Sequence, residues 1–153
     1  MYRVIYLEAE NMVMSVDGLA RLLADLTQSV SWVQESSLIS SEGLLIAHSD
    51  QKVDKEFLNR NAALNATVMS IGRGITRVFG QKVRQITVIY GKGNLTVINI
   101  GDTILSLVTH KEPTMELLFI ENPEESDEYE KYKLDIQKIH EFIKLIEKEL
   151  DEM

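Results

Sequence analysis

The sequence predicts an α/β protein of the α+β type: an antiparallel sheet sandwiched between helices, with an extra helix at the C-terminus. Three observations carry this. A hairpin pattern, Leu38-Ile39-Ser40-Ser41-Glu42-Gly43-Leu44-Leu45-Ile46-Ala47-His48-Ser49, lies between two helical patterns. Three more strand patterns follow within residues 83–110, separated only by Gly91-Lys92-Gly93 and Gly101-Asp102, and gaps this short make an antiparallel meander. Those strands carry apolar residues on both faces, such as Leu95, Val97, Ile98 and Ile100, so the sheet needs helices on both sides.

The elements follow in order. Residues 2–8 alternate loosely, as a short strand, and residues 8–14 read as a connector or a helical turn. A helix over 16–29 places Leu19, Leu22, Leu23, Leu26 and Val30 on one face, with Ser15 or Asp17 as its N-cap. Residues 32–40 form a strand and 43–48 its return. Between them Glu42-Gly43 reads as a two-residue type I′ turn, which needs φ > 0 at both central positions. The longest helical pattern runs from about residue 54 to 79; Asp54 or Gln51 begins it and Gly80 ends it. Strands at 83–90, 94–100 and 103–110 make the meander. Thr114 to Glu121 reads as a short helix, although Met115-Glu116-Leu117-Leu118-Phe119-Ile120 equally fits a strand, and Asn122-Pro123 breaks it. An acidic link then leads to a last helix over 128–150, with Ile136, Ile139, Ile143, Ile146 and Leu150 along one stripe.

Composition narrows the function classes. A chain of 153 residues suffices for one domain with a real core. No apolar run approaches the ~18 residues that span a bilayer, and residues 1–8 lack the pattern of a signal peptide. The chain has no cysteine, hence no disulfide and no thiolate metal site, which fits a cytoplasmic protein. The net charge of −8 is uneven: residues 1–120 hold 12 acids and 11 bases, residues 121–153 hold 12 acids and 5 bases. A nearly neutral body with an acidic tail lacks the basic footprint of a nucleic-acid binder, and an anionic membrane repels the tail.

No catalytic or metal signature emerges. His48, His110 and His140 stand far apart, with no His-x-x-x-His or Glu-x-x-His pair. Gly72-Arg73-Gly74 and Gly91-Lys92-Gly93 lack the spacing of a Walker loop, and the latter is explained by a turn between strands. The serines and threonines have no histidine and acid at activating spacings. The expectation is therefore a protein that is not an enzyme and carries no cofactor.

The long helix offers the candidate contacts. Ala62, Ala66, Ser70 and Gly74 repeat every four residues, and small side chains at that period let another backbone approach closely. Packing on the chain's own sheet and a helix–helix contact across a dimer both fit. Gly72 and Gly74 cost a helix about 1 kcal/mol each relative to alanine, which some contact must offset. Arg60, Arg73 and Arg77 on the same helix form either a solvated face or a partner-binding set. The last helix packs either on its own domain or on a second protein.

With the order helix, hairpin, long helix, meander and short helix complete, the sequence resembles the Roadblock/dynein light-chain family, including its bacterial MglB group and archaeal relatives. The likeness rests on Leu22-Leu23-Ala24-Asp25-Leu26, on the hairpin residues 38–47, on Asn61-Ala62-Ala63 and on Glu112-Pro113. It covers residues 15–121, leaving 1–14 as an N-terminal extension and 122–153 as an acidic linker and C-terminal amphipathic helix.

The resemblance implies a five-stranded antiparallel sheet. It also implies a dimer formed through the strand at Val83 to Tyr90, with Val83, Gln85, Thr87 and Ile89 at the interface, together with the small stripe of the long helix. A strand edge left unpaired either pairs or must be protected, and no proline guards this one. Family members bind small Ras-like GTPases or serve as adaptors, and the MglB type stimulates GTP hydrolysis without lending a catalytic residue. The expected function is a homodimeric, non-enzymatic regulator or scaffold for a small Ras-like GTPase. The rival expectations are a structural adaptor that pairs with another Roadblock-type subunit and a small-molecule sensor.

Overall fold

Leu95 and Val97 point to one side of the sheet and Ile98 and Ile100 to the other, and all four are buried. That alternation fixes three layers. The computed structural model describes residues 17–50 and 52–152. Its elements are α1 (residues 17–29), β1 (Val33–Ser40), β2 (Leu45–His48), α2 (Lys55–Phe79), β3 (Gln85–Tyr90), β4 (Gly93–Ile100), β5 (Thr103–His110) and α3 (Asp127–Asp151). The strands make one antiparallel sheet in the order β2-β1-β5-β4-β3. The strand and turn expected at 2–14, the Ser15 cap and the alternative start at Gln51 lie outside the described residues.

One face of the sheet is covered by α1 and α3. Leu19, Leu23 and Leu26 of α1 and Ile139, Ile143 and Ile146 of α3 pack with Leu38, Ile98, Leu105 and Leu107. Each fully buried side chain of this size stabilises the fold by about 2 kcal/mol. The opposite face is covered by α2, whose Ala62, Val68 and Met69 pack with Ile39, Leu95, Val97 and Ile104. Of the two placements open to the last helix, its apolar stripe takes the one on its own domain. Ile136, Ile139 and Ile146 are at most 1% exposed.

Caps set the helix ends. Asp54 accepts a hydrogen bond from the Glu56 amide at 3.3 Å, and Gly80 closes α2 in the left-handed region at φ 72° with its N–H on the Thr76 carbonyl. Ser126 caps α3 by accepting from the Tyr129 amide at 3.1 Å, and Asp127, Glu128 and Glu130 fill its first turn, where carboxylates suit the helix dipole.

One sequence expectation needs correcting. The β1–β2 connection is not a two-residue type I′ turn. Among the described residues no residue other than glycine has positive φ, so Glu42 cannot occupy such a turn, and only Gly43 is left-handed at φ 88°. The Ser40 amide reaches the Leu44 carbonyl at 2.8 Å and the Gly43 amide reaches the Ser40 carbonyl at 3.0 Å. This is a three-residue loop with a left-handed glycine at its end, and the register shifts between Leu38 and Ile39. The segment after Pro113 takes the helical of its two expected forms, as a short 3₁₀ helix at Met115–Phe119 within the expected 114–121, and a second 3₁₀ turn covers Pro123–Glu125.

Candidate interaction surface

The two faces of α2 are inverted in polarity. Its buried side carries Leu58, Ala62, Asn65, Met69 and Gly72, spaced by three or four residues. Its solvent side carries Phe57, Leu64, Ile71, Ile75 and Val78, which are 42 to 76% exposed. Phe57, Leu64, Ile71 and Val78 recur every seven residues, the period of a helix seam that meets another helix. An exposed apolar stripe of this length makes this face of α2 the candidate contact surface among the described residues.

Beside it lies an open sheet edge. β3 is the last strand of the sheet, and among the described residues it pairs only with β4. Its residues alternate between the faces. Ile86 packs with the α2 layer, so Val88 and Tyr90 share that side, and Val88 is 43% exposed. Gln85, Thr87 and Ile89 share the other side, where Gln85 donates to the Met115 carbonyl at 2.8 Å and Thr87 meets Thr96 at 3.0 Å. Ile89 is 76% exposed. Val83 precedes the strand; its amide donates to the Thr76 hydroxyl at 3.3 Å.

The small stripe divides between two environments. Ala62 is fully buried against the sheet. Ala66 packs under the hairpin, its Cβ 3.2 Å from where a side chain on Gly43 would begin. Ser70 is exposed, and nothing lies within 4 Å of the position a Gly74 Cβ would take. Gly72 is the tight one of the pair, 3.0 Å from Ile86 Cδ1 and 3.4 Å from Val83 Cγ1 by the same measure. The close approach expected of these small residues is thus realised at Ala62, Ala66 and Gly72 within the chain. Sequence reading missed the apolar stripe beside them, though its seven-residue period was visible.

The three arginines do not form one set. Arg60 pairs with Glu56 at 3.3 Å, both side chains about three-quarters exposed, an i,i+4 contact worth a few tenths of a kcal/mol. Arg73 and Arg77 line a separate cavity with Lys82, Val83 and Asn99. Among the described residues no three His, Cys, Asp or Glu side chains are grouped to hold a metal. No described helix is long and apolar enough to cross a membrane.

Comparison with known proteins agrees with this architecture. A Roadblock/LC7 domain from Streptomyces avermitilis superposes with a TM-score of 0.64 at 22% identity, covering 84% of this chain and 94% of that one. Myxococcus xanthus MglB gives 0.68 at 14% identity, covering 89% and 97%. The gliding protein MglB from Thermus thermophilus gives 0.65 at 15% identity, covering 91% and 93%. Likeness at these identities speaks for the fold. No curated protein matches the chain in sequence. The Roadblock/LC7 domain model matches residues 12–109, most of the chain, and with the sheet order and helix placement above it makes this protein a member of the Roadblock/LC7 domain family.

Proposed function

We propose that the protein is a cytoplasmic, non-enzymatic homodimer that binds a small Ras-like GTPase and modulates its nucleotide cycle. The observation that carries the reading is the inverted polarity of α2 beside the open edge of β3. A helix that keeps Asn65 and Gly72 inside and Leu64, Ile71 and Ile75 outside gains nothing from water and gains burial from a second surface. Pairing of two β3 edges brings two sheets into one and satisfies the outward backbone groups of the strand. Gln85, Thr87 and Ile89 then sit along the seam, with Ser70 and Gly74 on the accompanying helices. Family membership supports the GTPase as partner, and the MglB type acts on its GTPase without supplying a catalytic residue.

Two measurements test this. Light scattering at micromolar concentration is expected to give twice the 17.4 kDa chain mass. Purified small Ras-like GTPases, loaded with GDP or a non-hydrolysable GTP analogue, are expected to be retained on the immobilised protein in one nucleotide state and to hydrolyse GTP at an altered rate in its presence. Retention without a rate change supports the adaptor alternative. Absence of retention in both states removes the GTPase from the reading.

A further inference from the structure

One end of the sheet gathers positive charge. Arg73 and Arg77 stand one turn apart on α2 and share a cavity of about 440 Å³ with Lys82, Val83 and Asn99. A second cavity, of about 540 Å³, shares Lys82, Val83 and Asn99 and adds Arg84 and Phe119. The two run together as one groove with four cations along it. No carboxylate lines either cavity, and none of the four cations makes an ion pair among the described residues.

We infer that this groove binds a short acidic segment of a partner protein, one whose carboxylates flank an apolar side chain. Met69, Val83 and Phe119 supply apolar wall between the cations at the two ends. Arg84 is held in place for the task, its guanidinium carbon 4.8 Å above the Phe119 ring centre. That contact covers a face of the ring, and His140 packs against the ring at 83° with the centroids 5.2 Å apart, which leaves a nucleobase less room to stack there. Gly101 lines this groove and also the neighbouring cavity, which carries Asp102, Glu147 and Asp151. A long polyanion crossing the groove runs into those acids, whereas a short peptide stops before them. Exposed charge pairs are individually weak, so the binding is modest and falls with salt.

The inference rests on the proposed reading of the chain as a partner-binding protein, but not on the partner being a GTPase. The probe is a fluorescein-labelled peptide, Glu-Asp-Leu-Glu-Glu-Phe-Glu-Asp, titrated with the full chain and read by fluorescence anisotropy at low and physiological salt. Saturable binding that weakens with salt and drops about tenfold in R73Q/R77Q supports the groove. The same drop is expected for K82Q/R84Q, a second variant that serves if the first fails to fold. Arg60→Gln, on the far flank of α2, is expected to bind like the unaltered chain. No saturable binding overturns the inference, as does binding by both double variants equal to that of the unaltered chain. So does competition by inorganic pyrophosphate or a single-stranded oligonucleotide as effective as that of unlabelled peptide. GTPase retention measured on the unaltered chain separates the two proposals: peptide binding without retention leaves the groove and removes the GTPase, and retention without peptide binding does the reverse.

Discussion

Trp32 donates its indole N–H to a carboxylate oxygen of Asp135 at 2.9 Å, across 103 residues of sequence. The bond ties α3 to the start of β1. Tyr132 meets the same indole edge-on at 6.4 Å, and His140, one turn beyond Ile136, reaches the Leu118 carbonyl at 2.6 Å. The helix beyond the family match is therefore fastened to the core by polar contacts as well as by its isoleucines.

Replacing Asp135 with alanine removes a hydrogen bond to a charged group and leaves the indole N–H of a buried tryptophan without its partner. The expected cost is about 1.5 kcal/mol. Urea unfolding is expected to show a lower midpoint at an unchanged slope. An unshifted midpoint would mean the bond contributes nothing.

Ile71→Glu with Ile75→Glu places two charges on the exposed face of α2. Both side chains are more than two-fifths exposed in the single chain, so monomer stability is expected to change by no more than about 0.5 kcal/mol each. The proposed dimer, which would bury both charges, is expected to dissociate, reading 17.4 kDa by light scattering. A mass unchanged by the double substitution places the pairing surface elsewhere.

The two glycines of α2 are expected to respond in opposite directions. Gly74→Ala meets open space and removes a helix penalty of about 1 kcal/mol, so the melting temperature of the dilute chain rises. Gly72→Ala pushes a methyl to 3.0 Å from Ile86 Cδ1, and strain offsets or exceeds the same gain. Equal stabilisation by the two substitutions, in calorimetry, contradicts this account.

Gly43→Ala forces a non-glycine residue to φ 88° and brings its Cβ to 3.2 Å from that of Ala66. The left-handed conformation alone costs about 1–2 kcal/mol. Thermal unfolding is expected to shift down accordingly, and a neutral result would show that the loop relaxes to another turn.

The layers and the β3-β4-β5 meander were legible, because apolar residues on both faces of β4 and β5 need cover on both sides and the turns between these strands are short. Leu19, Leu23 and Leu26 likewise announced the inner face of α1 through helical spacing. The hairpin loop was harder, because Glu42-Gly43 fits more than one turn geometry and the choice depends on whether Ser40 pairs with Leu44. α2 was hardest. Phe57, Leu64, Ile71 and Val78 have the spacing of a core face, yet the sheet takes Leu58, Ala62 and Met69 instead. Periodicity reports that a face is apolar and is silent about what covers it. Arg60 and Arg73 also look alike in sequence; helix spacing alone sets Arg60 beside Glu56, whereas the crossing of α2 over the sheet sets Arg73 beside Lys82.

The far margin of the sheet has a consequence for how assemblies grow. β2 is four residues long, its pairing with β1 is broken by a register shift, and it offers little template for an incoming chain. In the proposed dimer, joining at β3 would use the one long free margin found among the described residues. Growth by that route would halt after a single addition, a guard against runaway stacking into fibres.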